Sequence, residues 1–421
     1  MPELLPIDDY LARVLDVAPR LPSEIVPTAE AAGRTLAAPL VARVAVPPFT
    51  NSAMDGYAVR AAELTTSPMR FPVAGDAPAG AAPVALPDGT AMRIMTGAPL
   101  PHGADAVIPV EQTDQRPGAG PLPAEVELRV RPGSGANVRP AGEDVRAGDA
   151  VLPAGTRLDA TAIATALSVG WPSVEAVCRP RVAVLSTGDE LVSTDDVDAD
   201  AGADLAPGRI PDSNGPMLAE LLREAGAEPD RLIAARDDVD EFWTSLEAAG
   251  DVDLVVTTGG VSAGAFEVVR QALEGRGVEF VQVAMQPGKP QGVGAVDLAG
   301  RRTPVVCLPG NPMSVFVSFH TFVVPLLDRM RGAAPSAVLL PAEAAHGWRA
   351  PAGRTQIAPA VVSVDDGRMR VALPSPKGAK SHFIGTLHRA NGLVTVPLEV
   401  DEVRPGDLLE VRLLGPLRSG V

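Results

Sequence analysis

Two cysteines, five histidines and an aromatic content of 3% leave this 421-residue chain few routes to several functions. Cys178 and Cys307 each lie beside or inside an apolar run. They read as buried thiols in a reducing compartment, not as a disulfide framework. The histidines do not fall at metal-ligand spacing, and His382 and His388 read as surface or barrel residues, not a zinc pair. With a net charge of −16 and few rings to stack on bases, the chain is expected to bind no nucleic acid. The N-terminus, "MPELLPIDDYLARVL", carries acids where a signal peptide has a basic region. The longest apolar run, "MSVFVSFHTFVVPLL" from Met313, contains His320 and Pro325 and suits a buried helix better than a membrane span. A cytoplasmic protein with no membrane partner is the expectation.

What is abundant is glycine (41) and proline (43), with no repeat period, which marks turns between many short strands. The length predicts two to four domains. Residues 8–18 read as an amphipathic helix, and "AEAAGRTLAAPLVA" as a helical or extended stretch. From about residue 46 to 145, alternating apolar positions broken by Gly and Pro predict a small β-barrel or sandwich. The helix ending near Gly170 is expected to pack with the first forty residues, making that β unit an insertion. Residues 180–330 alternate strand and helix, which predicts an open, mostly parallel α/β sheet. Residues 335–415 return to short strands.

In such a sheet, ligands bind outside the carboxyl ends of the strands. Three strand-end loops there are rich in small residues: "STGDEL" (186–191), "TTGGVSAG" (257–264) and "LPGNPMS" (308–314). Backbone N–H groups unobstructed by side chains favour an anion, typically phosphate. None of the three fits a P-loop or a dinucleotide fingerprint. Four acids lie near them: Glu190, Asp212, Asp237 and Glu267. Carboxylates beside a phosphate repel it unless a divalent cation lies between, and Mg²⁺ is the usual choice. The plainer readings are that Asp212 caps its helix and that Asp237 and Asp238 form a solvated turn. The residues alone thus lead to a Mg²⁺-assisted enzyme of a phosphorylated small molecule, with the substrate open.

Taken in order, "NSAMDGYAVR", "RIMTGAPLPHGADAVIPVEQT", "GEDVRAGD", "STGDEL", "DSNGPML", "TTGGVSAG", "LPGNPMSVFVSF" and "ANGL" resemble the molybdopterin molybdenumtransferases, the MoeA-type enzymes and the matching domain of gephyrin. The resemblance covers about residues 5–412. It implies an elongated N-terminal dimerisation subdomain (1–45 and 146–178), an inserted β-barrel-like domain (46–145), an open α/β molybdopterin-binding domain (179–331) and a C-terminal small β-barrel (332–421). It also implies the last step of molybdenum-cofactor synthesis. Adenylyl-molybdopterin is hydrolysed to release AMP, molybdate enters the pterin dithiolene, and Mg²⁺ is required. The implied partners are a second copy of the chain and the upstream adenylyltransferase.

Carried over residue by residue, Asp55, Asp144, Glu190 and Asp237 match the family's functional acids, and Glu190, Asp237 and Glu267 its metal-facing carboxylates. Thr96, Arg139, Pro309, Pro312 and Ser381 match polar or loop residues of the same cleft. The loop motifs add Ser186, Thr187, Gly188, Asp212, Ser213, Asn214, Gly259, Gly260, Ser262, Gly310 and Asn311 as substrate contacts, and Lys289 as a point charge. The resemblance also explains why Asp55 sits in "PPFTNSAMDGYAVR" with little beside it to pair with: its surroundings would come from the partner subunit. Three departures stand out. Glu267 replaces an Asp, Gln282 and Gln286 replace two lysines, and Pro211 replaces an aromatic. The rival readings are the adenylyltransferase of the preceding step, which lacks the "DGYA" barrel, and a gephyrin-like scaffold, which here has no adaptor domain.

Overall fold

Alternation along three short apolar runs builds the sheet that positions the site. In the strand Arg181–Thr187, Val182 and Val184 enter one buried cluster while Ala183 and Leu185 enter another on the opposite face. Leu254–Thr258 and Arg301–Leu308 divide in the same way, since a parallel strand covered on both faces must be apolar on both. The computed structural model describes residues 4–192, 206–235, 238–262, 264, 267–334 and 337–419, so Asp237 lies outside the described residues.

The six-stranded sheet runs Glu228–Ala235, Arg181–Thr187, Leu254–Thr258, Arg301–Leu308, Pro290–Leu298, Val278–Gln282. Its first four strands are mutually parallel, and Pro290–Leu298 is antiparallel to its neighbours. Helices Asn214–Glu224 and Pro312–Ser318 cover one face; Val239–Ala248 and Val268–Leu273 cover the other. The chain leaves Arg181–Thr187 towards one edge and later returns on its other side at Leu254–Thr258. Such a reversal opens a crevice at the strand ends.

The apolar run from Met313 is helical throughout, but not uniformly. Pro312–Ser318 passes into a π turn, Phe319–Val323, and resumes as Val324–Arg331. Pro325 carries no N–H and would crowd the carbonyl four residues back, which the wider turn relieves. His320 sits in that turn, its ring edge-on to Phe316 and Phe319 at 4.6 and 5.4 Å, with Nε2 buried and unpartnered. Burial first, and the Arg412 guanidinium second, lower its pKa from 6.5 to about 4. The unfolded chain therefore takes up this proton before the folded one does. Stability should fall as pH drops from 6.5 towards 4, by on the order of 3 kcal/mol from this group. Denaturation of wild type and His320→Gln across that range checks this. The two stability curves should converge as pH falls, and parallel curves would overturn the assignment.

Three further units surround the sheet. Ser23–Pro27 pairs with Ser173–Val177, which also pairs with Thr35–Leu36, so the two ends of the interrupted N-terminal segment meet in one sheet. The stretch 28–41 is a 3₁₀ turn and short strands, not an α-helix. The helix Ile7–Asp16, grouped above with the elongated subdomain, packs instead on the α/β core. Tyr10 donates to the Gly292 carbonyl at 3.0 Å and stands edge-on to Phe322 at 4.8 Å. The inserted unit is a five-stranded sheet ordered Ala106–Pro109, Gly56–Val59, Ala91–Ile94, Met69–Ala77, Glu125–Leu128, with a buried cluster on each face. At the C-terminus, Thr355–Asp365, Arg368–Ala372, Leu339–Ala344, Leu408–Leu413 and Gly392–Val396 pair in turn, and the last closes on the first as a barrel. Its interior is mostly Ala and Val, as a narrow barrel requires. Both thiols are free: Cys178 is half-buried, and burial pushes Cys307 up to about 12. Among the described residues no helix is long and apolar enough to cross a membrane.

Candidate active site

The crevice at the chain reversal is built by backbone approaching backbone. Gly259 and Gly260 have φ of +94° and +63°, and a Cβ on Gly259 would lie 2.5 Å from the Thr187 carbonyl oxygen. No side chain fits there, which is why the second loop opens on two glycines. Together with Pro309–Pro312 and the start of the helix Asn214–Glu224, these loops enclose a cleft of about 490 Å³.

Fourteen of the expected site residues meet in its walls: Thr187, Gly188, Glu190, Asp212, Ser213, Asn214, Gly259, Gly260, Ser262, Glu267, Pro309, Gly310, Asn311 and Pro312. Ser186 lies buried at the adjoining strand end, its hydroxyl unpartnered. Lys289 is half-buried and Ser381 touches the site region through its backbone, accepting from the Met313 N–H at 3.3 Å; neither is a wall residue. Asp212 is the helix cap of the plainer reading, accepting from the Asn214 and Gly215 N–H groups at 3.0 Å each, and it faces the cleft as well. Glu267 folds back so that Oε2 accepts from the Ser262 N–H at 3.0 Å, which gives the longer side chain a fixed place.

Two residues hold the third loop. Thr258 Oγ1 donates to the Pro309 carbonyl at 3.1 Å, and the Asn214 amide donates to the Gly310 carbonyl at 2.6 Å and to Thr258 Oγ1 at 3.1 Å. Thr258 was not among the expected site residues. It stands in the loop "TTGGVSAG" read from the sequence and, with Thr257, is one of two buried hydroxyls ending the strand Leu254–Thr258.

The charge balance of the cleft is one-sided. Glu190, Asp212 and Glu267 line it, and no Lys or Arg does among its described walls. Among the described residues no three His, Cys, Asp or Glu side chains converge tightly enough to hold a metal by themselves. Hard carboxylate oxygens in a cleft with a free mouth do fit Mg²⁺ bound jointly with substrate oxygens, the usual way that ion is held.

Asp55, Thr96, Arg139 and Asp144 all stand outside this cleft, on the N-terminal third of the chain. Contrary to expectation, Asp55 has a partner in its own chain. Its Oδ1 accepts from the Thr96 N–H at 2.7 Å and the Thr96 hydroxyl at 2.9 Å, which hold its pKa below the ordinary carboxylate range. The segments meet through two backbone bonds at Ser52: its N–H donates to the Ala98 carbonyl at 3.0 Å, and its carbonyl accepts from the Gly97 N–H at 2.9 Å. Gly56 follows Asp55 because a Cβ there would lie 2.0 Å from the Ile108 carbonyl oxygen. Asp144 and Arg139 are exposed; the Asp144 N–H donates to Val46 at 3.0 Å, and Arg139 pairs with Asn51.

Comparison with known proteins places this arrangement. Three family descriptions match in order: the MoeA N-terminal region (domain I and II) over residues 5–170, a probable molybdopterin binding domain over 183–329 and the MoeA C-terminal region (domain IV) over 341–414. Molybdopterin molybdenumtransferase 2 of Mycobacterium tuberculosis is 42% identical over 405 residues, covering 92% of this chain and 94% of that protein. The molybdopterin molybdenumtransferase of Nostoc sp. is 35% identical, covering 90% of this chain and 81% of its own length. Among solved structures, the molybdopterin biosynthesis MoeA protein of Pyrococcus horikosii superposes with a TM-score of 0.78 at 31% identity, over 98% of this chain and 100% of that one. The chain belongs to the MoeA family of molybdopterin molybdenumtransferases.

Proposed function

We propose that this enzyme of molybdenum-cofactor biosynthesis hydrolyses adenylyl-molybdopterin in a Mg²⁺-dependent reaction, releases AMP and transfers molybdate to the pterin dithiolene. One observation carries the reading: a cleft lined by glycine-containing strand-end loops whose described walls bear carboxylates and no basic side chain. A phosphorylated substrate is repelled there unless a cation is shared with it. Backbone N–H groups of the three loops orient the phosphate and exclude competing poses. Glu190 and Glu267, with Asp237 outside the described residues, are the carboxylates that would hold Mg²⁺. When bound, the ion supplies charge neutralisation at the phosphate oxygens. Asp55, Thr96, Arg139 and Asp144, which stand outside the cleft of their own chain, would complete the cleft of the second subunit in a homodimer. Substrate would come from the upstream adenylyltransferase, in the cytoplasm. The test is incubation with adenylyl-molybdopterin, Mg²⁺ and molybdate. AMP and molybdenum cofactor should form together, and intact substrate after prolonged incubation would overturn the reading.

A further inference from the structure

We propose that Thr96 acts as a positioning residue for Asp55: its N–H and hydroxyl both bind Oδ1, so that the other carboxylate oxygen is the one presented to the substrate. The role follows from a turn legible in "MTGA". Met95, Thr96, Gly97 and Ala98 form a β-turn closed by the Ala98 N–H to the Met95 carbonyl at 3.0 Å, with Gly97 at φ +79° in the third position. That φ at that place is a type II turn, which needs glycine. A Cβ on Gly97 would meet nothing within 4 Å, so its conformation and not crowding selects it. Thr96 lies past the end of the strand Ala91–Ile94, and its N–H and Oγ reach the same carboxylate oxygen at 2.7 and 2.9 Å.

Two donors on one oxygen fix both the ionisation and the rotation of an exposed carboxylate that would otherwise turn freely. No charged side chain is among the groups that keep Asp55 ionised; the two Thr96 bonds do so against slight burial. Thr96 thereby acts through Asp55 instead of touching substrate. This inference rests on the function proposed above only in taking Asp55 as a reacting-site acid.

The experiment compares Thr96→Val, which keeps shape and N–H but removes the hydroxyl, with Thr96→Ser, which restores it. The carbon resonance of the Asp55 carboxyl, assigned with Asp55→Asn, is followed through its titration alongside the kinetics of AMP release. In Thr96→Val the Asp55 midpoint should rise towards the ordinary aspartate range, and kcat should fall about tenfold with KM changed less than about twofold. Thr96→Ser should return both readouts to near wild type. An unmoved midpoint in Thr96→Val would overturn the proposal, and so would a rise in KM with kcat intact, which would make Thr96 a substrate contact. If wild-type protein releases no AMP, the function proposed above falls, while the moved and rescued midpoint still establishes the pairing.

Discussion

Mixing an Asp55→Ala chain with a Glu190→Ala chain should restore about a quarter of wild-type AMP release, although each chain alone is nearly inactive. Glu190 lines the α/β cleft, and Asp55 stands outside it on the N-terminal third of the same chain. If the two meet only across a two-fold axis, each site takes its Asp55 from one subunit and its Glu190 from the other. Random assortment makes about half of the dimers mixed. In each mixed dimer one site collects both lesions and the other neither, so about one site in four of the pool is intact. A site confined to one chain keeps a lesion in every copy, and mixing then restores nothing. Co-expression with two tags isolates the mixed dimer directly. Purified heterodimers that stay inactive would refute the shared cleft.

The second large effect concerns the acids of the cleft. Glu190→Gln keeps shape and removes charge, and turnover should drop at least about a hundredfold, as on loss of one electrostatic or acid–base group. In wild type, excess chelator should halt AMP release, with recovery on adding Mg²⁺. Both expectations come from three carboxylates facing a cleft without a basic wall residue among those described. Wild-type rates in metal-stripped protein would remove the ion from the reading. Turnover within about threefold in Glu190→Gln would reduce that acid to a solvated loop residue.

The mostly parallel sheet was legible in the sequence because a strand buried on both faces is apolar on both, as the stretch from Val182 to Leu185 is. The loops at its strand ends were legible for a related reason, since backbone passing within reach of backbone admits only glycine, as at Gly259. The Asp212 cap could be read too, because it is local to its own helix. By itself the sequence therefore determined the elements, their periodicities and the candidate acids. Which of those acids share a cleft was decided by the tertiary structure. Thr96 lies 41 residues from Asp55, and nothing in either turn announces that they pair. Thr258 and Asn214 hold the carbonyls of a loop 51 and 96 residues away. The helix Ile7–Asp16 joins the α/β core through Tyr10, which bonds a residue 282 positions on. Local patterns fix φ, ψ and which face is buried; they carry no information on which distant backbone group will satisfy a given donor or acceptor. That choice follows from how the packed elements meet.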